Sequence, residues 1–316
     1  MNYIILLVFA FLISFILVPV VREFSVKIDF VDKPTGRKMH DRPIPLLAGV
    51  AIYAAFFICY LISKNEFNSQ VLAFMVSSLM VLGIGIIDDW YKTRSKEFPI
   101  WPRVIVQITA ASIIFFSGTA FTGFYNSFND TYVVLPYLLQ YILSVLWIFG
   151  TMTVINWSDG LDGLAGGIAS ISAMTLFVVA LAKGQPDSAK MAIILVGAIL
   201  GYLKYNLPPA SVFMGDAGAT FIGFTLGVIS LDGAFKQVTL ISILIPILAI
   251  GVPIFDNIFV IIKRFLEGSP IYKADRAQIH YRLLSYGMKP VQVISFIFLI
   301  SVCLSFAAII ILLLKV

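Results

Sequence analysis

The chain has 316 residues, 60% of them hydrophobic and only 12% charged. A water-soluble domain carries about 25% charged residues, so this composition excludes an ordinary soluble globule and points to a membrane protein. The net charge of +5 calls for no nucleic acid partner, because topology and an anionic inner leaflet account for a basic excess.

A membrane span needs about 20 apolar residues. Apolar runs near 2–21, 46–63, 71–87, 101–119, 137–156, 164–182, 188–204, 217–231, 238–262 and 290–314 predict about ten transmembrane helices in a single domain, 1–316, of an all-α polytopic fold. The first run has no Lys or Arg before it and no small-residue cleavage site after it, so it reads as a span starting outside rather than a cleavable leader. The loop behind it, DKPTGRKMHDRPIP, gathers Lys33, Arg37, Lys38, His40 and Arg42 beside the membrane. Cys59 and Cys303 sit inside apolar runs, where packing is the default role.

The third run ends in GIGIIDDWYKTRSK. Asp88 and Asp89 thus stand at a helix C-terminus, where the macrodipole disfavours an anion by roughly 0.3–1 kcal/mol each. A metal ion or basic groups would relieve them, and Lys92 and Lys96 follow at helical spacing; a solvated acid pair capping the next helix is the plainer alternative. Between the fifth and sixth spans lies NWSDGLDGLAGG, with Asn156, Asp159 and Asp162 three apart and no basic residue beside the two acids. The segment NLPPASVFMGDAG carries Asn206, Phe213 and Asp216. Asp216 is placed either to cap the eighth span or to bind Mg²⁺, which favours one or two carboxylates with substrate phosphate oxygens. Pro246 and Pro253 predict a kink or break in the ninth span. Asp256 beyond them is an intramembrane acid, with Lys263 and Arg264 as candidate neighbours. The last loop, KADRAQIHYRLLSYG, offers Arg276, His280 and Arg282 as a cationic face suited to diphosphate oxygens.

With the N-terminus outside, 17 of the 22 basic residues fall on cytoplasmic segments, the orientation that the positive-inside rule requires. Most acids gather on that same face. A transporter would place ionisable groups near the midplane, so a transporter or flippase of an anionic lipid-linked sugar is the alternative to surface chemistry.

The ordered set of DKPTGRKMH-x-RPIP, the acid pair, NWSDGLDGLAGG, Asn206 with FMGDAG, P-x-x-D at 253–256 and DRAQIHYRLL resembles the polyprenyl-phosphate N-acetylhexosamine-1-phosphate transferase family. The resemblance implies a ten-span bundle in the cytoplasmic (inner) membrane with its active site on the cytoplasmic face. It implies transfer of N-acetylhexosamine-1-phosphate, N-acetylglucosamine-1-phosphate foremost, from a UDP-sugar to polyprenyl (undecaprenyl) phosphate with release of UMP. Such a step opens a cell-envelope glycan pathway such as lipopolysaccharide or teichoic acid synthesis. Carried onto this chain, Asp216 is the Mg²⁺ ligand, with Mn²⁺ as a substitute, and Asp88 or Asp89 acts at the lipid phosphate beside Lys92 and Lys96. Asn156, Asp159, Asp162, Asn206 and Phe213 contact the nucleotide sugar, and His280 with Arg276 or Arg282 the diphosphate. A homodimer is compatible with this reading. Gln278 and Tyr281 stand where the family often has histidines, and Leu46 and Ala48 replace its early arginine and glycine. The triple-histidine signature of the peptidoglycan branch is absent, which argues against that substrate.

Overall fold

The computed structural model describes residues 2–34, 42–64, 66–126, 131–234, 243–269 and 277–314. It is mainly helical. In chain order the helices are α1 (Tyr3–Lys27), α2 (Ala48–Ser63), α3 (Ser69–Thr93), α4 (Ile100–Phe116), α5 (Tyr137–Trp157), α6 (Leu164–Ala182), α7 (Pro186–Asn206), α8 (Gly215–Ile229), α9 (Leu244–Ala249), α10 (Gly251–Leu266), α11 (Ile279–Ser285) and α12 (Pro290–Leu313). Six of them, α1, α3, α5, α6, α7 and α12, are long and apolar enough to cross a membrane.

Every apolar run of the sequence contains a helix or a helix pair. The expected break in the ninth run is present: α9 and α10 meet at Ile250, between Pro246 and Pro253. Two features depart from the all-α expectation. Val31–Asp32 (β1) pairs antiparallel with Ile44–Pro45 (β2), and Gly123–Asn126 (β3) pairs antiparallel with Thr131–Val134 (β4). Both are short hairpin-like ties in connecting segments, which hydropathy windows do not register.

Burial is inverted relative to a soluble protein, as a lipid solvent demands. Ile4, Leu138, Leu146 and Leu299 are more than half exposed on the outer faces of their helices. The centre is α8, all of whose residues are buried except Asp216. Small residues let backbones touch it, as in membrane helix pairs generally. A Cβ on Gly49 of α2 would strike the Gly218 backbone, and one on Gly85 of α3 would strike Ala217. Farther along, Tyr53, Phe56, Phe57, Phe74 and Phe221 interlock at ring separations of 4.5–6.5 Å.

Because successive helices run antiparallel, the C-terminal ends of α3, α5, α7 and α10 meet the N-terminal ends of α4, α6 and α8. Contacts fix this common end. Arg103 of α4 reaches Asp88 of α3, Asn206 of α7 reaches Gly163 before α6, and Arg264 of α10 stacks over Trp157 of α5 at 4.9 Å.

Candidate active site

The last turn of α3 holds both acids of the DD pair, and they do different things. Asp89 is fully buried. Its Oδ1 accepts the Asp216 amide at 2.9 Å and its Oδ2 the Ala217 amide at 3.0 Å. These are N–H groups at the start of α8 that no residue of that helix caps, so Asp89 serves as its N-cap from across the bundle. The same contact offsets the poor placement of an anion at the end of α3. Gly215 lies in the left-handed region at φ 67, and a Cβ there would overlap the Asp89 carboxylate; both facts demand glycine. Of the two acids expected at the lipid phosphate, Asp89 accepts α8 amides with both oxygens, while Asp88 pairs with Arg103.

Asp88 accepts from Arg103 Nη1 at 2.7 Å and lies within hydrogen-bonding reach of Asp216. Asp216 is ringed by cations: Lys92 Nζ stands 2.5 Å from Oδ1 and Arg103 Nη1 3.6 Å from Oδ2. Lys92 also approaches Asp89 at 3.7 Å. The side chains of Lys92, Arg103 and Asp216 keep 39%, 30% and 16% of their surface open, so the cluster faces an entrance rather than a sealed core. Arg103 was not among the expected site residues. A signal for it exists in the sequence: a cation in the first turn of a helix opposes the macrodipole and asks for an anionic partner. Lys96, expected beside Lys92, instead lies exposed beyond the end of α3.

The loop 158–163 closes another side of the cluster. Asp159 is exposed at one surface and walled by protein elsewhere. Desolvation, then the charges of Asp216 and Asp162, raise its carboxyl to about 7 against the opposing pull of Lys92. Asp162 Oδ2 accepts the Ala210 amide at 2.9 Å. Asn206, expected at the nucleotide sugar, is buried, with Oδ1 on the Gly163 amide and Nδ2 on the Val212 carbonyl, both at 2.9 Å. Its amide ties the loop before α6 to the segment before α8. Phe213 is partly buried on the patch formed by Phe30, Leu46 and Leu47, and its backbone joins Pro45 and Ala48. Asn156 is half-buried, and its Nδ2 has no hydrogen-bond partner.

The described part of the last loop packs inward. His280, expected at the diphosphate, is 1% exposed and abuts Gly160, whose Cβ would overlap its Nε2. Burial holds its ring pKa down at about 4, so it stays neutral at pH 7. Arg282 reaches Asp256 at 3.1 Å and stacks over Phe259 at 4.0 Å. Asp256 therefore pairs across to α11, while Lys263 faces Glu267 at 3.8 Å. Arg276 and residues 35–41, including Arg37, Lys38 and His40, lie outside the described residues.

Four carboxylates (Asp88, Asp89, Asp159 and Asp216) thus share two cations, Lys92 and Arg103, with Asp162 adding a fifth negative charge beside Asp159. Among the described residues no three acidic, histidine or cysteine side chains form a closed metal cage. The adjacency of Asp88 and Asp216, within an uncompensated acid excess and at an open surface, fits a hard divalent cation of the Mg²⁺ type, which keeps positions free for water and phosphate.

A family model described as Glycosyl transferase family 4 matches residues 71–234, from α3 through α8. A Bacillus subtilis protein named "Probable undecaprenyl-phosphate N-acetylglucosaminyl 1-phosphate transferase" is 36% identical, covering 96% of this chain and 84% of that one. An undecaprenyl-phosphate alpha-N-acetylglucosaminyl 1-phosphate transferase of Yersinia pestis is 27% identical over 96% of this chain and 83% of its own length. A decaprenyl-phosphate N-acetylglucosaminephosphotransferase of Mycobacterium leprae is 27% identical, covering 92% and 79% respectively.

Proposed function

This chain belongs to glycosyl transferase family 4, and on that premise we propose that it transfers N-acetylglucosamine-1-phosphate from a UDP-sugar to a polyprenyl phosphate. In the proposed step a lipid phosphate oxygen attacks the β-phosphorus of UDP-N-acetylglucosamine. The new O–P bond forms as the bridging P–O bond breaks, and UMP leaves. The observation that carries this reading is the meeting of Asp88, Asp216, Lys92 and Arg103 at one partly open end of an otherwise apolar helical bundle. A lipid phosphate and a soluble nucleotide can both reach such a place.

Phosphoryl transfer depends mainly on positioning and charge stabilisation. Lys92 and Arg103 supply fixed positive charge for phosphate oxygens, and their present carboxylate partners keep them aimed at the entrance. Asp216, with Asp88 beside it, would hold Mg²⁺ or a substituting Mn²⁺. When bound, the ion supplies charge neutralisation for the diphosphate and the departing UMP. A phosphate monoester has its second pKa near about 6 and is already largely deprotonated at pH 7. Asp88, neutralised by Arg103, is therefore assigned to positioning rather than to proton abstraction. Asp159 and Asp162 border the same space from the loop, on the side where the nucleotide sugar would lie.

The finer topology belongs to this proposal too: ten spans, an outside N-terminus and a site on the cytoplasmic face of the inner membrane, supported by the distribution of Lys and Arg. The test is to incubate purified protein and undecaprenyl phosphate with a panel of UDP-sugars and Mg²⁺, and to measure UMP. Release confined to UDP-N-acetylglucosamine and dependent on the lipid supports the proposal. No release with any UDP-N-acetylhexosamine overturns it.

A further inference from the structure

A cavity of about 230 Å³ lies where α1 and α3 end, with Ile28, Asp29, Lys33, Trp90 and Arg94 in its wall. The Asp216 cluster uses none of these residues. Asp88, Asp89 and Lys92 occupy one flank of the last turns of α3, and the helical step of about 100° per residue brings Trp90 and Arg94 out on the other. Both helices end at the face that carries Asp216. Phe30, just behind α1, accepts the Leu46 amide at 3.3 Å, and α2 opens with the Gly49 amide on the Met214 carbonyl at 3.2 Å.

Two cations are presented in this cavity. Arg94 lies over the Trp90 ring, its Cζ 3.8 Å from the centroid. Stacking fixes the guanidinium plane and leaves its N–H edge outward, and no described carboxylate pairs with it. Lys33 is held by Asp29 at 3.1 Å. The carbonyls of the two helix ends do not consume these side chains, because backbone amides already occupy them: Phe24 and Ser25 accept Ile28 and Phe30, and Tyr91 and Lys92 accept Arg94 and Ser95. One acid against two cations leaves the cavity positive. Asp29, at φ 53, and Ser95, at φ 55 beside Arg94, are the non-glycine residues with positive φ among the described residues. Backbone of that kind persists where the surroundings demand a special geometry.

The apolar side of the cavity narrows the ligand. Ile28 and Trp90 are 49% and 40% exposed, and Phe24 and Val26 next to them are more than half exposed, as lipid-facing residues are. A soluble anion has no use for such a border; a phosphate ester carrying acyl chains does. We infer that the ends of α1 and α3 form an accessory site for an anionic phospholipid of the phosphatidylglycerol type, separate from the transfer site. Arg94 and Lys33 hold its phosphate, the Trp90 indole lies at the glycerol level as interfacial aromatics do, and Ile28 borders its chains.

Tryptophan quenching tests this. Parent and variants are placed in phosphatidylcholine nanodiscs with a rising fraction of either phosphatidylglycerol or phosphatidylcholine bearing brominated chains. The signal of the site is the part of the quenching that Trp90→Phe removes. Brominated phosphatidylglycerol should half-saturate that signal at a mole fraction about fivefold or more below brominated phosphatidylcholine. Arg94→Gln and Lys33→Gln should each raise the half-point about fivefold, whereas Lys96→Gln should leave it in place. Quenching of the remaining tryptophans, among them Trp101 at 75% exposure, should stay parental throughout, which separates a lost site from a lost fold. Equal half-points for the two lipids in the parent, or a preference that survives both substitutions, would overturn the inference. Release of the brominated lipid by millimolar inorganic phosphate would equally overturn it, in favour of a site for a soluble anion. Binding is read without turnover, so a protein that released no UMP would lose the transferase reading and keep this result.

Discussion

Replacing Asp89 by Asn changes one oxygen to an NH₂ group inside a closed pocket. Both carboxylate oxygens accept amides from the first turn of α8, at 2.9 and 3.0 Å, and the residue has no exposed surface. In the variant one of those amides meets a donor instead of an acceptor, and the remaining bond loses its charge. A hydrogen bond to a charged group contributes about 1.5–3 kcal/mol, and a buried donor left unpaired costs about 1–3 kcal/mol. Together these give roughly 2.5–6 kcal/mol, which for a chain of this size corresponds to a fall in melting midpoint of about 4–9 °C. Thermal unfolding of detergent-purified protein, followed by size-exclusion recovery, reads this directly. Asp88→Asn should lower the midpoint less and transfer far more, because Asp88, itself buried, pairs with the partly open Arg103 and Asp216 and not with the first turn of α8. Two neighbouring carboxylates are thus predicted to divide into one that holds α8 and one that serves the cluster. An Asp89→Asn protein with a parental midpoint but no UMP release would refute this division and put Asp89 at the substrate.

Other consequences are equally accessible. Asp216→Asn should abolish UMP release without lowering the melting midpoint, and EDTA should silence the parent reversibly, with Mg²⁺ restoring it; full activity in either case removes Asp216 or the ion from the mechanism. Arg103→Leu strands Asp88 without its 2.7 Å partner and should cut transfer about a hundredfold, while Arg103→Lys should fall between; equal rates in all three would show the pair to be idle. Asp159 provides a pH test of stability in metal-free protein. Its folded pKa of about 7 lies above the ordinary carboxylate value near 4, so the folded state binds the extra proton between those limits. The contribution of Asp159 to stability should therefore be fully present below about pH 4, decline as pH rises toward about 7, and then level off. Asp159→Asn should flatten that decline, and parallel midpoint curves for parent and variant between pH 5 and 8 would contradict it.

Much of this architecture was legible in the residue string because lipid imposes a coarse rule: apolar runs of sufficient length become helices. The prolines at 246 and 253 marked the interruption at Ile250 for an equally local reason, a missing amide donor. The acids of the cluster were legible as types in unfavourable places, at a helix end or in an uncompensated glycine loop. Their partners were not, since pairing is a matter of packing between segments far apart in sequence. Asp89 and Ala217 are joined across 128 positions, and Asp162 and Ala210 across 48. Asn206 and His280 illustrate the converse. Each is a polar residue in a motif, the kind most readily assigned to substrate, and the string did not show that the amide of one would meet backbone groups or that the ring of the other would lie buried against Gly160. Arg103 looks in the string like any other topogenic charge, and only its place at the opening of α4, where a cation opposes the helix dipole, marks it.

The near-complete enclosure of α8 bears on how this enzyme family can diversify. A buried helix whose neighbours touch its main chain at Gly49 and Gly85 has little room for larger side chains, and a saturation library should find most enlarging substitutions there destabilising. Preference for one sugar donor over another must then be written elsewhere, in the connecting segments at the rim, where length and side-chain size can drift without disturbing the pillar that carries Asp216.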